Sequence, residues 1–347
     1  MKIISGTTEF HIENKSAVAI GKFDGVHLGH QKLLRRMHDW QAQGYPAVVF
    51  TFDRPPASVF SPEKDIRELT TPQEKRELME RMGADVLVEF PMTTETAAMP
   101  PEVFVEEILA GQLNSTVILA GEDLSFGHQG RGNRRLLEAM APRLGYRTEI
   151  VDKLSVREAL SALSDSVLAE ETAELQRNKP AAADQDADRL FHGLNGDTPV
   201  SSTLVRSLLE EGRMEQVTAL CGRPYSVSGS IIHGRHLGGP VLQMPTINME
   251  WPAGKLAPPF GVYYSRTLLE GKYYRSVTNV GRKPTVSEEN RVLAETYIYD
   301  FEGNAYGERA RVFLYGYKRP ERKFDGIEAL REQMQRDIRE GADYWES

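Results

Sequence analysis

The stretch Gly21-Lys22-Phe23-Asp24-Gly25-Val26-His27-Leu28-Gly29-His30 joins a short apolar run, residues 17–20, to an amphipathic helix pattern. A strand that ends in a Gly-rich turn and feeds a helix aims backbone N–H groups and the positive helix end at one spot, which suits a polyphosphate. The spacing lets the rings of His27 and His30 face one side of the first helical turn, and Gly29 between them lets a ligand approach the backbone. Further on, Leu33, Leu34, Met37 and Trp40 fall on one helical face, Arg35 and Arg36 lie off it, and Gly44 supplies a stop. An isolated His-x-x-His has two plainer readings, a decorated helix start and a zinc-ligand pair. The second lacks companion thiolates, because the chain holds one cysteine, Cys221.

Outward from this turn, apolar runs at 17–20, 47–52, 86–90, 116–120 and 147–151 alternate with helical patterns. Thr71, Pro72 and Glu74 form a capping box with proline at the first helical position, and Gly83 closes that helix. Such alternation predicts an α/β domain with a doubly wound parallel sheet and ligands at the carboxyl ends of its strands. Gly121-Glu122-Asp123-Leu124-Ser125-Phe126-Gly127 follows one of those strands, and by itself reads equally well as an ordinary strand-to-helix loop. Ser201-Ser202-Thr203-Leu204-Val205-Arg206 places hydroxyls at a helix start and an arginine one turn later, either a phosphate contact or a plain N-cap with a surface arginine.

From 153 to 198 the chain is rich in Ala, Asp, Glu and Ser and reads as a mobile insertion, helical at 155–174 and a solvated loop at 178–188. Beyond Cys221 the sequence turns β-like, with strands expected at 226–233, 261–267, 273–280, 292–301 and 308–317 and a terminal helix at 326–340. That pattern predicts a small β-barrel, with Ile327, Leu330, Met334 and Ile338 of the helix packed on it. Within this half, Thr246 and Asn248 place a hydroxyl and a carboxamide two residues apart on one side of an extended chain, a donor set that suits Mg²⁺. Glu295 lies in a β-like segment and suits a general base. Taken singly, a Pro-Thr-x-Asn is a turn into a strand and a lone strand glutamate faces water.

The chain has 347 residues, 40% hydrophobic and 27% charged, enough for two globular domains. Residues 1–15 show neither a signal peptide nor a membrane span, and the single cysteine excludes a disulfide framework, so a cytoplasmic protein is expected. A net charge of −8 argues against a broad basic surface for nucleic acid, and nothing points to a membrane partner. Anionic small molecules must be held locally.

Taken together, the string at 21–30 resembles the HxGH signature of the nucleotidyltransferase superfamily, in the form found in bacterial bifunctional FAD synthetases (riboflavin kinase/FMN adenylyltransferase). The segment 121–127 is similar to that family's Gly-x-Asp-Phe-x-Phe-Gly, with Leu124 for the first aromatic, and 201–206 to its Ser-Ser-Thr-x-x-Arg. Downstream, His233-Gly234, Gly238, Pro245-Thr246-Ile247-Asn248, Gly261-Val262-Tyr263, Asn279-Val280-Gly281-Arg282-Lys283-Pro284-Thr285, Glu295, Asp300-Phe301 and Arg319-Pro320-x-x-Lys323-Phe324 resemble the riboflavin kinase domain in order. The resemblance implies an adenylyltransferase domain over 1–222 and a kinase domain over 223–347. It implies riboflavin, FMN and ATP as substrates, FMN and FAD as products, and Mg²⁺ as cofactor. His27, His30, Arg206 and Glu295 would be catalytic, with Glu295 the base for the ribityl 5′-hydroxyl. Gly21, Phe23, Asp24, Gly25, Gly29, Gly121, Asp123, Phe126, Gly127, Ser201, Ser202 and Thr203 would bind nucleotide or flavin in the first domain. Gly234, Gly238, Asn279, Gly281 and Arg282 would do so in the second, where Thr246 and Asn248 would hold Mg²⁺ and nucleotide phosphate.

Three departures from the family pattern stand out. The family's Thr-Phe-x-Pro-His-Pro stands here as Thr51-Phe52-Asp53-Arg54-Pro55-Pro56, so a histidine of the adenylyltransferase site is missing, with Arg54 beside it as a candidate replacement charge. The loop Gly238-Gly239-Pro240-Val241-Leu242-Gln243-Met244 before Pro245 is one residue longer than usual and lacks an arginine, and Tyr297 stands where many relatives have histidine. An enzyme with only one live activity, and a non-catalytic flavin-binding regulatory protein, are the alternatives these departures leave. Oligomeric state is not encoded in any feature above.

Overall fold

The computed structural model describes residues 1–61, 65–161, 192–232, 244–283 and 291–346. The expected loop at 178–188 and most of the expected helix at 155–174 lie outside the described residues, although Val156–Ser161 is helical. The chain divides into two compact units, Met1–Leu168 with Asp197–Ser202 and Ala169–Gly196 with Thr203–Ser347. Among the described residues no helix is long and apolar enough to cross a membrane.

In the first unit the strands are β1 (Lys2–Ser5), β2 (Ser16–Ile20), β3 (Ala47–Phe52), β4 (Val86–Phe90), β5 (Ser115–Gly121) and β6 (Arg147–Val151). They form one parallel sheet in the order β1-β4-β3-β2-β5-β6. Its short central strands are apolar on both faces because helices cover both. Val18, Ile20, Val48, Phe50, Val88 and Ile118 face a core shared with Phe104 and Ile108, while Ala17, Ala19, Val49, Leu87 and Leu119 face Leu34, Met37 and Met79 of helices α1 (Leu28–Gln41) and α2 (Pro72–Arg81). The capping box is formed: Thr71 N donates to Glu74 Oε2 at 2.8 Å and Glu74 N to Thr71 Oγ1 at 3.2 Å. Strand β1 was not expected from the mixed polar sequence at 1–15. It is an edge strand whose Ile3 is 43% exposed, so burial leaves little apolar signal in it.

Strand order reverses at β2, with β3 and β4 to one side and β5 and β6 to the other. The carboxyl ends of β2 and β5 therefore flank the switch point, where doubly wound sheets bind ligands. The histidine turn follows β2 and the Gly121 segment follows β5.

In the second unit β7 (Tyr225–Ser230), β8 (Thr246–Glu250), β9 (Gly261–Leu269), β10 (Lys272–Lys283), β11 (Arg291–Ile298) and β12 (Arg309–Pro320) form an antiparallel sheet, order β8-β11-β10-β9-β12-β7. Among the described residues its two edges meet at the bridge of Ile232 to Asn248, so the expected barrel is a curled sheet nearly closed on itself. Inside the curl, buried hydroxyls pair with one another. Ser265 lies 2.8 Å from both Ser276 and Thr278, Thr267 donates to Ser276 at 3.0 Å, and Thr278 lies 2.8 Å from Thr296. All five are fully buried.

Among the described residues beyond Val156–Ser161, the helices are α3 (Ser202–Glu210), α4 (Met214–Cys221) and α5 (Ile327–Glu346). Helix α5 runs past the expected end and buries a different face. Gln333, Asp337, Gly341 and Trp345 are its buried residues, Leu330, Met334 and Ile338 are only half-buried, and Ile327 is 46% exposed. The cause is charge: Arg319 of β12 holds Asp337 through Nε at 3.0 and 3.1 Å and Nη2 at 2.5 Å, and Gln333 donates to the same carboxylate at 2.9 Å. Pulling Asp337 inward rotates the helix away from its apolar stripe.

Candidate functional site

The turn after β2 holds a rarely populated backbone. Phe23 and Val26 take φ of 50° and 40°, with Gly25 at 77° between them. Left-handed non-glycine residues are unfavourable and persist where their surroundings over-determine them. Here the Asp24 carboxylate, 7% exposed, accepts from the backbone N–H of Leu69 at 2.7 Å and of Thr70 at 3.3 Å. Gly25 N donates to Thr70 Oγ1 at 3.3 Å, and a Cβ at Gly25 would stand 2.8 Å from Leu69 Cδ1. Ser202 Oγ donates to the Asp24 carbonyl at 2.8 Å, and Thr51 Oγ1 to the Lys22 carbonyl at 3.2 Å. Asp24 and Ser202 thus spend at least one polar atom each in fixing the turn.

His27 is the N-cap of α1, its Nδ1 accepting from His30 N at 3.4 Å. The two imidazoles stack with centroids 3.7 Å apart and planes 21° apart, and the buried ring of Phe23 backs His30 at 5.3 Å. A Cβ at Gly29 would meet the His27 ring at 3.2 Å, so the glycine leaves room for the stack. Two imidazoles and the open N–H groups of a 14-residue helix share one end of the sheet, a donor set fitted to phosphate oxygens.

Beside this turn lies a mostly apolar cavity of about 270 Å³ at the carboxyl ends of β2, β3 and β4. Ile20, Gly21 and Lys22 form one wall, Phe52, Phe60 and Phe90 another, and Leu124 to Gly127 cross from the β5 side. Phe126 packs on Phe104 with centroids 5.4 Å apart, and Gly127, φ 68°, passes so near Pro101 that a Cβ would stand 2.7 Å from its Cα. Asp123 pairs with Lys153 at 3.1 Å, and a Cβ at Gly121 would meet Asp123 Oδ1 at 3.3 Å. Gly21, Phe126 and Gly127 were expected from the sequence; Lys22, Phe52, Phe60 and Phe104 were not. Phe52 ends a strand, a position that marks it, but nothing in the sequence places Phe60 and Phe104 opposite it.

Other expected residues are less concentrated. Ser201 is half-buried and Thr203 exposed at the start of α3, and Arg206, one turn along, belongs to the second unit. Arg54 is 61% exposed in its side chain and contacts the neighbouring Asp53 at 3.4 Å. Asp53 is itself taken up by the N–H of Met92 at 2.9 Å.

In the second unit the register aligns the expected chemistry. Asn248 of β8 pairs with Glu295 of β11, which pairs with Asn279 of β10, so the three side chains share one face of the sheet. Thr246 lies two residues before Asn248 on that face. Asn248 is 4% exposed, and its Oδ1 has no hydrogen-bond donor among the described residues. A buried acceptor without a donor is costly unless a ligand satisfies it. Carboxamide and hydroxyl oxygens are hard donors, so Asn248 and Thr246 fit a Mg²⁺ ion. Asn279 Nδ2 donates to Glu321 Oε1 at 3.4 Å, and the same carboxylate lies against Gly281, where any side chain would collide with it. The Arg282 guanidinium stands 5.4 Å from the centre of the Phe260 ring. Gly234 and Gly238 lie outside the described residues.

Comparison with known proteins agrees with both halves. The FAD synthetase family matches residues 9–162, and the riboflavin kinase family matches residues 221–345. The chain is 30% identical over 333 residues to the bifunctional riboflavin kinase/FMN adenylyltransferase of Listeria monocytogenes, covering 95% of this chain and 93% of that one. It is 29% identical to the Bacillus subtilis protein of the same name, covering 99% and 98%. A crystal structure of a macrolide-efflux protein from Streptococcus pneumoniae superposes with a TM-score of 0.78 at 22% identity over 98% of each chain, a likeness of fold. With a parallel sheet carrying a stacked histidine turn, a curled antiparallel sheet carrying the Asn248, Glu295 and Asn279 row, and relatives aligned across both, the chain belongs to the bifunctional riboflavin kinase/FMN adenylyltransferase, or FAD synthetase, family.

Proposed function

We propose that the chain makes FAD from riboflavin in two steps, with a kinase site in a domain over 223–347 and an adenylyltransferase site in a domain over 1–222. The observation that carries this reading is the row of Asn248, Glu295 and Asn279 on three adjacent strands, a carboxylate beside a buried carboxamide oxygen that lacks a donor among the described residues. Binding alone has no use for a general base at that place.

In the kinase step the Glu295 carboxylate takes the proton of the ribityl 5′-hydroxyl as that oxygen attacks the γ-phosphorus of ATP. The new O–P bond forms as the bond to the β-phosphate oxygen breaks, giving FMN and ADP. Thr246 and Asn248 would hold Mg²⁺, which when bound supplies positive charge to the nucleotide phosphates. Asn279, oriented by Glu321, borders the same face and orients the acceptor alcohol. In the second step a phosphate oxygen of FMN attacks the α-phosphorus of ATP and pyrophosphate leaves. That nucleophile is already anionic, so His27 and His30 act as N–H donors to the phosphoryl oxygens. The apolar cavity beside the turn suits the flavin ring, and the cytoplasm suits all the substrates.

One observation favours a narrower reading, kinase without adenylyltransferase: the family's histidine is missing at Pro55, and Arg54 beside it is exposed and pairs with Asp53. A time course with riboflavin, ATP and Mg²⁺, resolved by chromatography, tests both. FMN followed by FAD upholds the two-step reading. FMN alone, also from supplied FMN, upholds the narrower one, and no conversion of either flavin refutes both.

A further inference from the structure

We infer that Lys22 is a specificity-determining residue of the adenylyltransferase site, the cation that selects a phosphorylated flavin over an unphosphorylated one. The inference rests on the reading of the cavity as the flavin site. Lys22 is the one charged residue among the described residues that line the cavity, whose other walls are aromatic, aliphatic or neutral. It is an exposed residue with no carboxylate within 4.0 Å among the described residues, in a chain of net charge −8. Its backbone is not free to wander: Thr51 Oγ1 donates to its carbonyl at 3.2 Å, Gly21 N donates to Phe50 O at 3.2 Å, and Phe23 follows in the left-handed region.

Position along the chain supplies the rest. Gly21 belongs to the cavity wall, and Phe23 backs the stacked imidazoles. Lys22 therefore stands between an apolar chamber and a phosphate-binding turn. A flavin whose ring fills the chamber must lead its ribityl phosphate past this residue to reach a nucleotide at His27 and His30. An apolar chamber does not distinguish FMN from a dephosphorylated flavin, since the ring is common to both. An unpaired ammonium at its mouth does, because a charge-assisted contact forms with one and not the other.

The test uses the full chain and the FMN adenylylation half-reaction, with lumiflavin as a competitive inhibitor. Lumiflavin carries the flavin ring without ribityl or phosphate, so it probes the chamber alone and cannot be phosphorylated. Lys22→Met is expected to raise KM for FMN roughly tenfold, the loss of one charge-assisted contact, with the lumiflavin inhibition constant unchanged within about twofold. Lys22→Arg is expected to restore most of the FMN affinity, and riboflavin phosphorylation by the same preparations to match the parent. An unchanged KM for FMN, or equal losses for FMN and lumiflavin, would overturn the assignment while leaving the two-step reading intact. A parent chain that forms no FAD from FMN would overturn that reading, and this inference with it.

Discussion

Replacing Asp24 separates a positioning role from a charged one. Its carboxylate is buried and accepts from two backbone N–H groups 45 and 46 residues away, those of Leu69 and Thr70, themselves 1% and 4% exposed. Asp24→Ala leaves both donors without an acceptor, at about 1–3 kcal/mol for each buried group. The Thr70 contact is long at 3.3 Å and counts for less, so the total comes to about 3 kcal/mol. Asp24→Asn keeps an oxygen where Oδ1 stands and loses only the charge assistance, about 1 kcal/mol. Urea unfolding of the full chain gives the two stabilities, and the half-reactions give the local effect. FAD formation from FMN is expected to fall far more in the alanine variant than in the asparagine variant, while FMN formation from riboflavin holds. An asparagine variant as crippled as the alanine one would refute the reasoning, because the charge and not the acceptor would then matter. An alanine variant within about 0.5 kcal/mol of the parent would refute it from the other side.

Glu295→Gln is expected to slow riboflavin phosphorylation by roughly 10²- to 10⁴-fold with adenylylation of supplied FMN unchanged, measured by the two separate assays. Arg76→Ala strands Glu89, whose side chain is 6% exposed and now held at 2.6 Å, and is expected to destabilise the first unit by about 3–5 kcal/mol in the same unfolding experiment. Tyr146, whose buried hydroxyl donates to Leu137 O at 2.7 Å, has its pKa pushed up by burial to about 12. The unfolded chain releases that proton first, so this contribution to stability is complete below pH 10 and is lost as pH climbs to about 12. Tyr146→Phe is expected to flatten the alkaline limb of a stability-versus-pH curve.

The central strands of the first unit were legible because burial on both faces writes itself as an unbroken apolar run, as in Ala17 to Ile20 and Val86 to Phe90. The helix start at Thr71 was legible because its stabilising contacts are local, between Thr71 and Glu74. What is set by distant partners was not. The carboxylate of Asp24 turns to Leu69 and Thr70, and Phe104 reaches the cavity from a helix whose sequence carries no mark of it. Helix α5 shows the same limit from the other direction: apolar spacing pointed to Ile327, but Arg319 draws Asp337 inward and decides the face. Thr246, Asn248 and Glu295 could be singled out as residue types, whereas their alignment depends on a register between strands that the linear sequence does not state.

The hydroxyls of Ser265, Thr267, Ser276, Thr278 and Thr296 inside the curled sheet bear on how this domain can change over time. Removing one member strands its neighbours' polar atoms in a place no water reaches, whereas exchanging all of them for hydrocarbon of equal shape is close to neutral. Any route from the one interior to the other passes through intermediates worse than either end. The five positions therefore behave as a single inherited character, held or replaced as a block.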